Sequence, residues 1–388
     1  RSYLIMRLML IWIILLRMPP TSEMETFAEI DLSAIRTNVK AIRSYIDPAK
    51  VIAVIKADAY GHGAIPVARI LADDVMMFAV ATVDEAIELR QAEIHHPILI
   101  LYNVLPHLIE KAVIQKITLT VSEAELPKAL SKIAQRKNRD IKIHVNINTG
   151  MNRDGAQCNQ AVGFLQWLNT LPGIMVEGVF THFATADKIT NTELDQQLYR
   201  FNSVIDKLDR LNLLPTIVHA ANSSAMLKRK DTHFDAVRIG LTLFGLNPLV
   251  GTQDFLPLQS ALEWKTRVIS TEEISVGEGI SYGFTYRAER PIHIATARIG
   301  YADGYSRLLS NTGIALIGGK TRKLAGQVCM DVSVFEVDNS VNIGDEVVLI
   351  GWQGNYHIDA AQMAKKIGTI TYEILTGISK RVPRIYRD

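Results

Sequence analysis

Ten consecutive residues, Val54-Ile55-Lys56-Ala57-Asp58-Ala59-Tyr60-Gly61-His62-Gly63, carry the strongest chemical signal in the chain. The apolar run Val51 to Ile55 delivers one lysine, followed at once by small residues, a tyrosine and two glycines. β-Branched runs of this kind favour buried strands, and they seldom end on a lysine by accident. At the mouth of a hydrophobic barrel, desolvation would lower the pKa of that amine and make it competent to form an imine with a carbonyl. The competing reading is plain: a lysine snorkelling its charge out of a strand end.

Positioning such an amine needs a rigid frame, and the pattern from Val51 to Gly240 describes one. Short apolar runs fall at Val51–Ile55, Met77–Ala81, Pro97–Leu101, Ile117–Val121, Ile141–Ile147, Ile174–Phe180, Thr216–His219 and Ala236–Ile239. Amphipathic stretches, including Val83–Gln91, Glu123–Arg136, Asn159–Leu168 and Glu193–Leu211, lie between them. Thr82 and Glu85 have capping-box spacing. Roughly eight βα units in a row predict an α/β fold with a (βα)8 TIM-type barrel. In that fold the active site forms at the carboxyl ends of the strands. Lys56 follows the first run, Arg153 the fifth, His182 the sixth and Ser223 the seventh, while Arg238 and Gly240 close the eighth. Each alone could be a solvated loop residue. Together they make one polar rim above an apolar interior, which is what a cofactor pocket requires.

After Leu258 the rhythm becomes alternating, with segments Glu263–Ile269, Ile292–Ile299, Val328–Val337 and Val347–Ile350 separated by turn residues. A mostly antiparallel β domain is expected there, with one helix at Ala360–Ile367. The expected division is a barrel over 25–258 and a β domain over 259–388.

Composition excludes some classes. A net charge of +2 over 388 residues, with the basic residues scattered, leaves no electrostatic footprint for nucleic acid. Two cysteines, Cys158 and Cys329, fit reduced thiols in a cytoplasmic enzyme better than a disulfide framework. Residues 1–24 form an apolar leader, Leu4 to Leu16 interrupted by Arg7, too short for the ~20 residues of a comfortable membrane span. It reads as an upstream extension with translation starting near Met24, or else as an anchor or export signal.

The lysine segment resembles the cofactor-lysine motif of alanine racemases, and later motifs are similar to that family in order. Thr181-His182-Phe183-Ala184, His219-Ala220-Ala221-Asn222-Ser223 and Val237-Arg238-Ile239-Gly240 look like its barrel motifs. Ile280-Ser281-Tyr282-Gly283, Gly300-Tyr301-Ala302-Asp303-Gly304-Tyr305, Cys329-Met330-Asp331 and the closing Arg381–Tyr386 look like those of its second domain. The resemblance spans nearly everything from Ala28 to Tyr386.

It implies a pyridoxal 5'-phosphate enzyme that interconverts L- and D-alanine and supplies D-alanine for peptidoglycan. The implied catalytic pair is Lys56, which carries the cofactor and is base on one face, and Tyr282, base on the other. A free tyrosine titrates near ~10, so cationic neighbours are needed for a phenolate. Arg153 and His182 are implied near that tyrosine or the cofactor. Arg238 is implied to face the pyridine nitrogen, which it leaves largely unprotonated because guanidinium does not readily release its proton. The phosphate is implied to rest on Tyr60, Ser223, Gly240, Leu241 and Tyr386. The resemblance puts Arg153 and the backbone of Met330 near the substrate carboxylate, with Tyr301 narrowing the way in. No metal is implied. A homodimer with shared active sites is implied, the tyrosine of one subunit serving the lysine of the other.

The chain departs from the family pattern at Asn146, where many members carry a carbamylated lysine, at Asn148 in place of a more usual aspartate, and at Gln327. Alternatives are a serine or broad-specificity racemase, a related barrel decarboxylase and a non-catalytic carrier. Tyr301 and Tyr386 crowding the pocket favour a methyl-sized side chain.

Overall fold

The computed structural model describes residues 24–188, 192–249 and 256–388. They form two units, one of Leu32–Ala261 and one joining the strand β1 (Phe27–Asp31) to Leu262–Asp388. But for Met24, the expected leader lies outside the described residues. No helix among the described residues is long and apolar enough to cross a membrane.

The first unit is a closed parallel barrel. Its strands are β2 (Lys50–Val54), β3 (Met77–Val80), β4 (Ile98–Ile100), β5 (Thr118–Val121), β6 (Ile141–Asn148), β8 (Ile174–Phe180), β9 (Ile217–His219) and β10 (Ala236–Ile239). A two-residue strand, β7 (Ala156–Gln157), hangs on the end of β6. Neighbours pair in the order β2-β3-β4-β5-β6-β8-β9-β10, and β10 returns to β2. Every apolar run singled out in the sequence is one of these eight strands. Strands covered on both faces need apolar side chains at both parities, so they read as continuous runs. Val51, Ile52, Ala53 and Val54 are accordingly all buried. The helix Val83–Gln91 begins at Thr82 with the expected capping box, Thr82 and Glu85 exchanging side-chain and backbone bonds.

The second unit is a mostly antiparallel sheet. Its long strand β11 (Leu262–Ile274) pairs with β14 (Ile292–Ala297) and with β18 (Glu346–Gln353). The hairpin β12–β13 (Gly279–Ile280, Tyr286–Arg287) frames Tyr282, and the hairpin β15–β16 joins Ile314–Ile317 to Lys320–Lys323. β17 (Ser333–Val337) pairs with β14, β19 (Tyr356–Ile358) with β18, and β20 (Arg384–Arg387) with β1.

Three expectations need correction here. Residues 25–31 read as barrel, but β1 pairs antiparallel with β11 and parallel with β20. The buried Lys265 on β11, paired with Glu29 at 2.7 Å, fixes that partner choice. The division therefore falls at Asp31 and at Leu262. The stretch 328–332 is loop rather than strand, because the carbonyls of Cys329 and Met330 accept from Tyr301 N and Ala302 N instead of from a sheet. The segment Thr371–Gly377, not singled out as a helix, is helical.

Candidate active site at the carboxyl rim of the barrel

Lys56 emerges half-buried from the end of β2 into an unusual turn. Ala57, Asp58, Ala59 and Tyr60 all have φ between 51° and 55°, a left-handed turn built without glycine. Such a conformation costs roughly 1–2 kcal/mol per L-residue, so something outside the turn must hold it. Glu85 does so: its Oε1 accepts from Ala57 N at 2.7 Å, while Oε2 accepts from Ala81 N at 2.7 Å and Thr82 N at 3.1 Å. Asp58 closes the other side by accepting from Ala64 N at 2.6 Å. One carboxylate thus caps a helix and aims the lysine. Glu85→Gln, which turns one acceptor oxygen into a donor, is expected to cost about 1–3 kcal/mol in urea unfolding. A change below about 0.5 kcal/mol would mean that the turn holds itself.

Around the lysine the rim gathers Tyr102 and Arg153. Lys56 Nζ donates to Tyr102 Oη at 3.4 Å and stands 5.6 Å from that ring, whose centre is also 5.4 Å from the Arg153 guanidinium. Tyr102 was not singled out in the sequence. Its signal was position, a polar aromatic just after the third apolar run. Arg153 is exposed on a loop that Asn148 braces, its Oδ1 accepting from Gly150 N and Asn152 N, both at 3.1 Å. The amide that departs from the family pattern is itself the brace. Asn146, one step deeper on β6, is buried.

Arg238 is buried beneath the rim and anchored on both terminal nitrogens. Nη1 donates to His219 Nδ1 at 2.8 Å and to His219 O at 3.1 Å. Nη2 donates to Thr181 O at 2.6 Å, Ala220 O at 2.9 Å and His182 Nδ1 at 3.1 Å. Burial and the nearby Arg153 pull the guanidinium down to about 9, so it stays charged at neutral pH. His182 is held well below the ordinary histidine range by burial and by the charges of Arg238, Arg153 and Lys56. His219 is lowered by burial and Arg238, and His144 by burial.

These three imidazoles are neutral in the fold and protonate more readily in the unfolded chain. The unfolded state therefore binds more protons as pH falls below its histidine pKa of ~6.5, and stability drops. The contribution is fully present above that value and shrinks by at most about 1.4 kcal/mol per pH unit for each group. The melting temperature is expected to fall between pH 7 and pH 5. His219→Gln should flatten that slope, and an unchanged slope would refute the assignment.

Three further groups form a small cradle. Gly240 N donates to Ser223 Oγ at 3.3 Å, and a Cβ at Gly240 would lie 2.3 Å from Tyr60 Oη. Only glycine lets these donors close together. Leu241 begins a short 3-10 turn directly after Gly240, so its N–H lies at a turn start. Asn222 caps the helix that follows by accepting from Ala225 N at 3.0 Å. Ser223 is thereby left facing Gly240. Backbone N–H groups and hydroxyls converging at turn starts suit a dianion.

The remaining expected site residues belong to the other unit. Tyr282 sits on a strained tip, between Ser281 at φ 62° and Gly283 at φ 71°, and is 72 % exposed. It is a loop tip rather than a packed aromatic. The loops are stitched: Ser281 Oγ donates to Gln327 O at 2.7 Å, and Tyr301 N donates to Cys329 O at 3.0 Å. Gly300 has no room for a Cβ, which would fall 2.2 Å from Met330 O. Tyr301 and Met330 are thus held side by side, while Tyr386 lies on β20 beside Ile30 of β1.

A closed (βα)8 barrel with a lysine and a buried arginine at its rim, carried with a separate β domain, is the architecture of a barrel enzyme. Residues 30–248 match the family model "Alanine racemase, N-terminal domain", and residues 261–386 match "Alanine racemase, C-terminal domain". The alanine racemase of Halothermothrix orenii is 41% identical over 94% of this chain and 97% of its own. The solved alanine racemase of Clostridium difficile superposes with a TM-score of 0.89 at 38% identity, covering 94% of this chain and 96% of that one. That of Bacillus anthracis, solved with bound L-Ala-P, gives 0.88 at 40%, covering 94% and 95%. The chain belongs to the alanine racemase family and is an isomerase of that family.

Proposed function

We propose that the protein racemises alanine with pyridoxal 5'-phosphate, in the cytoplasm, as a homodimer, supplying D-alanine for peptidoglycan. The observation that carries the reading is the joint geometry of Lys56, Arg238 and the Tyr60–Ser223–Gly240 cradle on one rim. The fit to the cofactor rests on two features. The cradle is open only because residue 240 lacks a Cβ, and a donor-only guanidinium lies buried nearby with both ends fixed. Tyr60, Ser223, Gly240 and Leu241 would hold the phosphate, with Tyr386 joining them, and Arg238 would meet the ring nitrogen. When bound, the cofactor supplies the electron sink that makes an α-proton removable.

The rest is the work of this chain's side chains. Lys56 Nζ takes or returns a proton on one face, and Tyr282 Oη does so on the other. Arg153 orients the substrate carboxylate, with the Met330 N–H as a second donor; that N–H has no protein acceptor among the described residues. His182, a neutral ring accepting from Arg238, orients the polar rim without adding charge. Tyr301 limits the side chain admitted.

The exposed side chains Tyr282, Phe284, Tyr301 and Met330, on loops bonded to one another, support a partner-facing surface on the β unit. A second copy would receive them, bringing Tyr282 to the partner's lysine. The test is incubation with L-alanine in heavy water. Optical rotation should decay to zero while both enantiomers gain α-deuterium, whereas faster turnover of L-serine would favour a serine racemase instead.

A further inference from the structure

Two imidazoles and a carboxylate run down the inside of the barrel from Arg238, where TIM-type interiors are usually filled by branched apolar side chains. His219 Nε2 and His144 Nδ1 are 2.8 Å apart, although β8 separates their strands, so the bond crosses the interior. His144 Nε2 in turn faces Glu177 Oε2 at 3.5 Å. Those two buried atoms face each other with no hydrogen-bond partner among the described residues. Resting on the functional reading above, we propose that Glu177 and His144 are positioning residues for racemisation: they fix the direction of a hydrogen-bond chain, Arg238 to His219 to His144 to Glu177, that holds Arg238 in place.

The direction follows from valence. Guanidinium has donors only, so His219 Nδ1 must accept. A neutral ring then carries its proton on Nε2 and donates to His144 Nδ1. His144 must likewise carry its proton on Nε2, aimed at Glu177. An ionised carboxylate has acceptors only, so the far end admits the same direction and no other. Reversing His219 would set two N–H groups head to head at Arg238, and reversing His144 alone would set them head to head between the two rings. A donor-only group at one end and an acceptor-only group at the other thus select one tautomer for both histidines.

The strands are shaped for this arrangement. The β6–β8 register slips between Ile143 and His144, which makes Glu177 the extra residue. Its neighbour Gly178 has no room for a side chain, since a Cβ there would meet the His144 ring at 2.6 Å. Phe180 stacks on His219 with centroids 4.8 Å apart and lies 5.1 Å from the Arg238 guanidinium. Lys142 closes the chain by pairing with Glu177 Oε1. Its side chain and that of Glu177 line an open cleft at the amino-terminal end of the barrel. Glu177 is held below the usual carboxylate range by His144 and Lys142, which keeps it an acceptor.

Glu177→Gln is the discriminating change, because a carboxamide can present either a donor or an acceptor to His144. Histidine-selective 15N NMR on the purified full-length protein should show both rings as Nε2–H in the wild type. In E177Q a second tautomer should appear, and kcat should fall about tenfold at unchanged KM, as when an interaction made in the transition state is weakened. Wild-type rings protonated on Nδ1, or an E177Q protein with unchanged tautomers and kcat, would overturn the proposal. The wild-type spectrum settles the direction even if E177Q does not fold. Alanine turnover by the wild type is a separate control, so failure of the functional reading appears there and not in the spectra.

Discussion

Lys56→Ala is expected to abolish racemisation, lowering turnover by at least about 10³-fold, and to remove the visible absorbance of the cofactor joined to that amine. Two functions are lost at once, attachment and proton transfer on one face. The fold should be indifferent. The strand leading to Lys56 is buried and apolar, the turn after it is held by Glu85 and Asp58, and among the described residues the lysine side chain's one hydrogen bond is a long one to Tyr102. Thermal unfolding within a few degrees of wild type, with activity gone, is the expected pair of results. A variant that keeps both absorbance and turnover would refute the assignment. So would one that loses activity only because it unfolds.

The reason for so many cations around one lysine lies in the balance of the rim. Arg153, Arg238 and Lys56 all act on His182, and each favours its neutral form. The site therefore keeps its positive charge on the groups proposed to meet substrate and cofactor and leaves its imidazoles uncharged. Glu177 supplies the compensating negative charge three links away, at the opposite end of the barrel. Stabilising a developing negative charge by fixed donors in a dry site is effective because nothing has to reorganise during reaction.

The sequence carried the barrel well because parallel strands buried on both faces cannot hide their composition. It carried the rim residues for a related reason, since polar residues stand out directly after apolar runs. Other features depend on contacts distant in the chain. The left-handed turn of Ala57-Asp58-Ala59-Tyr60 contains no glycine, and Glu85, which holds it, lies 28 residues from Ala57. Tyr102 is an ordinary loop aromatic until Lys56 and Arg153 are seen beside its ring. His144 and His219 read as isolated polar residues on apolar strands, and only barrel closure brings them to 2.8 Å. β1 was placed with its sequence neighbours, while its partners are more than 200 residues away.

Tyr282→Phe is expected to keep the fold and the cofactor absorbance while turnover from L-alanine falls about 10²–10⁴-fold, the range for loss of a positioned acid or base. At 72 % exposure the side chain supports nothing within its own subunit, and its hydroxyl makes no hydrogen bond among the described residues. A severe loss of activity can then come only from a role outside that subunit's own packing. Complementation separates this from any local effect. In a dimer with shared sites, a hybrid of Lys56→Ala and Tyr282→Phe chains has one site lacking both residues and one site with both intact. Random reassociation of the two inactive proteins should therefore recover up to about a quarter of wild-type turnover, as two-fold symmetry requires. If exchange is verified by mass and no activity returns, Tyr282 does not serve the partner's lysine.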